Sequence, residues 1–534
     1  MADWFLILVT FISFFLLLVV SVYILVHYQH PDDKNDAYFP KLTVLLGLLL
    51  SGATVLLLPL DVANNEGYPG CAGYSESQLC GGINMVLFWE IFYWAIPAVV
   101  FLLIPFMTFF YEADDGMLMA GTAIGAKPNS RILEAIKYEF LVIIIVGSIF
   151  IGCYLGFGES HVMVKEYTGF TADKAEYTTL NIDGGSFNTS YLEDLSLAEF
   201  TTMHSRSQVT KEIMISLPVS IPTFFAGFMA FIGWFFFALF GGIGIAALPL
   251  DLILAFINRP KHMDPSEFAD AQMNIRQRVN ELVDIGELLK IERDERAKSV
   301  EKKGMFQRFS REGQKEYLEF KKAVYLLETD VEDFQASSAN YANYNPLIPW
   351  LSLFMGFASV IISLVWVVHI AIYIAPPKPL YSFLNDFFQI GEDVFPLFGV
   401  LSIAIFTLYL LLCAIKGCFK FGIRFMMFQI HPMRVNKTYM SSFMFNVGLV
   451  LLCALPVVQF CVTAFPEYAR YSNVVQVMGV QVQNLKFFTW FFAQKVFIFA
   501  FLAVAGLTCI YLFCKPRDKE KKTQKGLLSR LRSK

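Results

Sequence analysis

"GGIGIAALPLDLI" occupies residues 241–253, inside a run from Ile215 to Ile257 whose only charged side chain is Asp251. The run is 43 residues long. One bilayer crossing takes about 20 mostly apolar residues, so this run crosses once with length to spare or crosses twice. The choice sets the side of the membrane on which every later segment lies.

The rest of the chain supplies the context. Its 534 residues are 56% hydrophobic and 16% charged, outside the range of soluble domains. Eight further stretches are long and apolar enough to span: 4–27, 42–60, 83–111, 140–157, 347–375, 394–415, 440–465 and 487–514. The first lacks the basic leader and small-residue cleavage site of a secretory signal, so it reads as a retained span. With a single crossing in 215–257 there are nine spans, the N-terminus outside or lumenal and the C-terminus cytoplasmic. The inner loops 28–41, 112–139, 258–346, 416–439 and 515–534 then hold 34 of the 42 Lys and Arg. That asymmetry is what the positive-inside rule requires, and two crossings would reverse it for the basic loop 258–346.

Covalent signals point the same way. Cys71 and Cys80 share a short outer loop facing an oxidising compartment, where a disulfide forms. The sequon at Asn188 falls in the large outer loop 158–212 as a glycosylation site, whereas Asn436 falls on the inner side. The expected class is an all-α polytopic membrane protein of about nine transmembrane helices. It divides into a first membrane block (1–257), a cytoplasmic helical hairpin (258–346), a second membrane block (347–514) and a basic cytoplasmic tail (515–534).

One crossing leaves apolar residues to explain. Residues 215–240 suffice to span; Gly241, Gly242 and Gly244 then loosen the helix, and Pro249, just before Asp251, removes a backbone donor. The sequence predicts a broken extension to 257, either packed as a kink or re-entrant and lining a cavity. In the hairpin, Ile275, Val279, Leu282 and Leu289 share one helical face. Tyr317, Phe320, Val324, Leu327, Val331 and Phe334 alternate steps of three and four, the spacing of a coiled-coil seam. The tail carries nine Lys and Arg and suits the anionic lipid of the inner leaflet.

Ionisable groups inside spans need partners or water and so point to function. Glu90, His369 and Lys495 each fall six to eight residues from the outer end of a span, roughly 10 Å deep at about 1.5 Å per residue, with Asp61 at the rim. The expectation is an outer-leaflet polar cluster in which Glu90 and Lys495 pair and His369 titrates near neutrality. The alternative is that each group is satisfied separately. No phosphate-binding loop, HExxH, paired CxxC or GxSxG occurs, and the His residues show no metal-ligand spacing. The expectation is therefore a protein with no catalytic residues, no cofactor, no metal and no nucleic-acid partner. The two membrane blocks show no inverted repeat of the kind many secondary transporters carry.

Several strings together resemble one family. "YQHPDD" (28–33) and "AYFPK" (37–41), "LLLPLDVAN" (56–64), "IPFMTFFYE" (104–112), "FGGIGIAALPL" (240–250), "IHPM" (430–433) and "FNVGLVLLC" (445–453) are similar to the limb-region-1-like, or LIMR, membrane proteins, most nearly the plant and protist members. That family includes a lipocalin-interacting membrane receptor and a lysosomal cobalamin transport escort. The resemblance implies nine spans with an outer N-terminus and a large cytoplasmic loop after the fifth. It also implies a receptor or escort at the plasma or endolysosomal membrane, whose partners are a lipocalin-like carrier, a cobalamin-handling transporter or an endocytic adaptor. It carries over no catalytic residue. The alternative reading is a secondary transporter or channel for a small solute, using the outer polar cluster.

Overall fold

The computed structural model describes residues 4–31, 33, 38–65, 81–119, 128–168, 208–257, 259, 265–300, scattered positions from 320 to 334, 347–395, 397–420, 424–425, 428–429, 433, 435 and 438–514. Cys71, Cys80, Asn188, Asn436 and the tail from 515 lie outside the described residues. In chain order the elements are α1 (Trp4–Tyr28), α2 (Tyr38–Asn64), α3 (Met85–Ala98), α4 (Ile104–Met119), α5 (Pro128–Phe157), β1 (Glu159–Thr168), β2 (Gln208–Pro218), α6 (Ile221–Ile257), α7 (Pro265–Val300), α8 (Leu347–His369), α9 (Phe383–Val394), α10 (Phe398–Lys420), α11 (Met440–Ala464), α12 (Thr489–Ala493) and α13 (Val496–Cys514). A π-helical turn at Val99–Leu103 joins α3 to α4, and another at Ile370–Ile374 extends α8. Among the described residues nine helices are long and apolar enough to cross a membrane. The fold is that of an α-helical polytopic membrane protein.

These helices are apolar on every face, as a helix must be when its outside meets lipid and its inside meets other helices. α1 and α5 leave Phe11, Phe15, Ile151 and Leu155 exposed, whereas α11 is buried along almost its whole length. α11 packs against α2, α4 and α10 and forms the centre of the first of two compact units, 1–244 with 365–504. The second unit comprises 245–364 with 505–534.

From Ile221 to Ile257 the 215–257 run forms one unbroken helix, α6. This corrects the expected break at Gly241, Gly242 and Gly244, and two local arrangements account for it. The glycines serve close packing. A Cβ on Gly244 would collide with the backbone carbonyl of Cys413, and one on Gly242 would meet Phe501 O and Val504. α10 returns the fit, with Gly417 against Phe240 O. Small residues let helix backbones approach where side chains would hold them apart. Pro249 removes the donor that Ile245 O would otherwise use, and the Ser363 hydroxyl donates to that carbonyl at 2.8 Å instead. A second correction concerns the start of the run. Residues 215–218 belong to β2, which pairs antiparallel with β1 from Glu159↔Pro218 to Thr168↔Gln208.

Polar joints close the two ends of the first unit. At one end Asp33 accepts from the Tyr111 hydroxyl (2.8 Å) and from Met440 N (3.2 Å), while His30 N donates to Thr438 O (2.9 Å). At the other, Asn64 exchanges hydrogen bonds with Ile83 N and O. There β1 is held against the segment after α11 by His161 N to Asn484 O (2.9 Å) and Lys486 N to Glu159 O (3.1 Å). The loops that meet at each end are those that alternate along a chain crossing back and forth.

In the second unit α7 packs against the described helical positions between 320 and 334. Leu282 is buried with Ala323 and Leu327, with Phe320 and Val331 alongside. Phe268 stacks on Phe334 at 5.0 Å, and Arg278 bridges Asp330 at 2.8 Å. Rising numbers in α7 meet falling numbers in the partner, so the pair runs antiparallel. The side chain of Leu289 lies outside the described residues.

Candidate functional site

The four ionisable residues expected to cluster are separated. Glu90 is exposed on α3. Asp61, near the end of α2, is fully buried and accepts from Trp89 Nε1 (2.9 Å), Asn473 N (3.1 Å) and Val474 N (2.8 Å). Two of those donors open the helical turn that continues as a π-helix over Val475–Val482. A carboxylate at a helix start satisfies amides that have no partner inside the helix and favours the positive end of its dipole. Asp61 is thus a buried joint, not the rim of an outer cluster.

Lys495 is not eight residues into a span. It sits between α12 and α13 with left-handed backbone, φ 53°. Its Nζ donates to Ile374 O and Pro376 O, each at 2.7 Å, and the expected pair with Glu90 is not made. Those carbonyls end the π-helical extension of α8, where the last turn lacks intrahelical donors and attracts a cation. A left-handed residue costs roughly 1–2 kcal/mol, and hydrogen bonds to a charged donor contribute about 1.5–3 kcal/mol each, so the two bonds hold the strained conformation.

His369 is fully buried at the end of α8. Its Nε2 lies 3.0 Å from Ala464 O, and because a carbonyl only accepts, Nε2 carries the proton. Nδ1 has no partner. Asn385 Nδ2 donates to the same carbonyl at 3.4 Å. The ring stacks on Tyr373 at 5.1 Å and on Phe465 at 5.7 Å. Beyond the spans, burial and then the neighbouring Glu392 carboxylate push the Tyr468 phenol above its ordinary range, so it stays protonated.

Lys495 and Tyr373 meet at a cavity of about 200 Å³. Its walls are chiefly aromatic, including Trp234, Phe460 and Phe492, with Gln459, Thr463 and Gln483 as neutral polar members. Gln459 is 2% exposed, and its amide oxygen accepts from Trp234 Nε1 at 2.7 Å, which leaves its NH2 group as the donor it can still offer. Trp234 is clamped edge to face against Phe237 and Phe460 and stacked on Phe497. The structure therefore stacks His369 on Tyr373, places Tyr373 and Lys495 in one cavity wall, and sets Glu90 and Asp61 elsewhere.

Sequence reasoning missed Trp234 and Gln459 because an isolated Trp or Gln inside an apolar span has no spacing signal. It also missed β1 and β2. The alternation of Val162 and Val164, and of Ile213, Ile215 and Leu217, was the available clue.

Spans, joints and cavity define a multi-pass α-helical membrane protein with a small amphipathic pocket in its first unit. The family model for LMBR1-like membrane proteins matches residues 6–304 and 292–513. The chain is 33% identical to a LIMR family protein of Dictyostelium discoideum over 97% of this chain and 99% of that one. It is 32% identical to LIMR family proteins of Oryza sativa subsp. japonica, over 96% of each chain, and of Arabidopsis thaliana, over 95% of each. The chain belongs to the LIMR family. No solved structure matches it.

Proposed function

We propose that this LIMR protein is a non-catalytic receptor or escort for a small-ligand carrier or a transport partner. The observation that carries the reading is the separate commitment of the ionisable groups: Glu90 is exposed, Asp61 caps a helix and Lys495 is held on two carbonyls. A solute path needs polar groups strung through the bundle, and these groups do not form one. At about 200 Å³ the cavity is also below the roughly 300–1,000 Å³ of pockets that enclose drug-sized ligands, so in this reading a cobalamin-sized molecule is handled through a partner and not inside it.

Capture falls to the outer side in this reading. Val164, Ile213, Ile215 and Leu217 share one face of the β1–β2 hairpin and are exposed, a surface suited to a lipocalin-like carrier or a cobalamin-handling transporter. The antiparallel pair built on α7 faces the cytoplasm and engages an endocytic adaptor. The tail 515–534 rests on anionic inner-leaflet lipid, and the membrane is the plasma or endolysosomal one. Affinity purification of the full chain and of a deletion of 266–336 from native membranes tests this. Proteins lost with the deletion support it; identical associations and identical localisation contradict it. The cavity beside Lys495 favours one alternative, a transporter or channel for a small solute, and flux into liposomes carrying the purified protein would establish that instead.

A further inference from the structure

We propose that the cavity beside Lys495 is a binding site for a small organic anion: a carboxylate on a compact apolar body about the size of one ring. The inference holds whether or not the chain acts as an escort. Charge comes first. Among the described lining residues Lys495 is the one cation and there is no Asp or Glu; the Glu467 carboxylate, outside the lining, meets the Tyr373 hydroxyl. Two of the three ammonium protons go to neutral carbonyls, Ile374 O and Pro376 O, which orient the group without neutralising it. A positive charge facing a space walled chiefly by aromatic side chains calls for an anion, because a wall of low polarity strengthens an ion pair.

The other polar groups agree. Gln459 turns its accepting oxygen to Trp234 and keeps its NH2 donors, and Thr463 donates to Gln459 O. Beside Lys495 the wall thus offers the Gln459 NH2 donors, the complement of a carboxylate, while the Thr463 hydroxyl proton is already given to Gln459 O. The resident ammonium excludes the cations that aromatic faces would otherwise attract. Shape sets the body of the ligand. An apolar cavity of about 150 Å³ holds benzene, so about 200 Å³ takes one ring with its carboxylate and excludes a long acyl chain lying wholly inside. Trp234, locked between Phe237, Phe460 and Phe497, supplies a rigid wall.

The test uses the full chain in neutral phosphatidylcholine nanodiscs, with 4-fluorobenzoate as the observed ligand in fluorine NMR and 4-fluorobenzamide as its uncharged counterpart. Saturable broadening of the benzoate, at least tenfold weaker for the benzamide and at least tenfold weaker in Lys495→Met, is the expected result. Lys495 also fastens α8 to the start of α13, so the Met variant can fail to fold. Thr463→Leu leaves Lys495 and both carbonyls in place and fills the cavity, and it should abolish the same broadening. Equal binding of benzoate and benzamide, absence of benzoate binding in the wild-type protein, or unchanged binding in Thr463→Leu overturns the proposal. None of these outcomes bears on partner association, which the deletion of 266–336 measures separately.

Discussion

Asp61 is buried with three donors, from Trp89, Asn473 and Val474, converging on its carboxyl group. Replacing it with Ala strands those donors in a buried place and should cost at least about 3 kcal/mol, read as a lowered unfolding temperature in detergent. Asp61→Asn keeps one accepting oxygen and should cost less; a cost equal to that of Asp61→Ala would show that one accepting oxygen does not hold the joint without the second. Glu90 stands at the opposite extreme. Because it is exposed and apart from Lys495, exchanging the two charges should give additive effects, with a coupling energy within about 0.5 kcal/mol of zero in a double-mutant cycle. A restored double mutant would revive the pair. The sequence shows where ionisable groups enter a span, and that much of Asp61 and His369 was legible, whereas the break that places Lys495 between α12 and α13 was not. It does not show partners that are backbone carbonyls or amides, which carry no residue-specific signature, and so Ile374, Pro376, Ala464 and Val474 were invisible.

At the scale of elements, the glycines of α6 show how one residue type carries two readings. A Gly-Gly-x-Gly run with a following proline weakens a helix in isolation, and in a bundle the same run lets another helix approach. Gly244→Ala forces the Cys413 carbonyl aside and should cost about 1–3 kcal/mol, whereas Gly147→Ala, which meets nothing, should be neutral or stabilise by up to about 1 kcal/mol. Thermal unfolding of the two variants side by side checks the contrast, and equal effects would return the run to the role of a hinge. In the second unit, Leu282→Ala opens the small core shared with Ala323 and Leu327 and should cost about 2–5 kcal/mol there. Limited proteolysis should then cut α7 sooner, with the spans unaffected. Spans were the most legible elements, since about 20 apolar residues is a coarse requirement. The β1–β2 hairpin was not, because β2 runs straight into the apolar sequence of α6 and its alternation was absorbed into the expected span.

At the scale of the whole molecule, the strings that carry the family resemblance include the joints of the fold. Asp33 lies in "YQHPDD" and its partner Tyr111 in "IPFMTFFYE"; Asp61 and Asn64 lie in "LLLPLDVAN"; Gly244 lies in "FGGIGIAALPL". Lys495, Trp234 and Gln459 fall in none of them, so the cavity is separable from the features that mark the family. The number of spans was legible in their length and apolarity, and the uneven sharing of basic residues between alternate loops adds an expected orientation. The orientation that this distribution implies places the N-terminus outside, with β2 outside and α7 inside. α6 alone joins those two elements, and its 37 residues extend about 55 Å, enough for one crossing with a margin.

Substituted-cysteine labelling at the two ends of α6 therefore tests the account most directly. Met214→Cys on β2 and Val283→Cys on α7 are both exposed positions, and each is introduced singly into a background freed of native cysteines. In sealed cells or vesicles of known sidedness, a membrane-impermeant maleimide should label position 214 from the outer or lumenal side and position 283 only after permeabilisation. Labelling of both positions from the same side would mean that the 215–257 run returns to the face it left, and would contradict the single crossing on which the nine-span account stands.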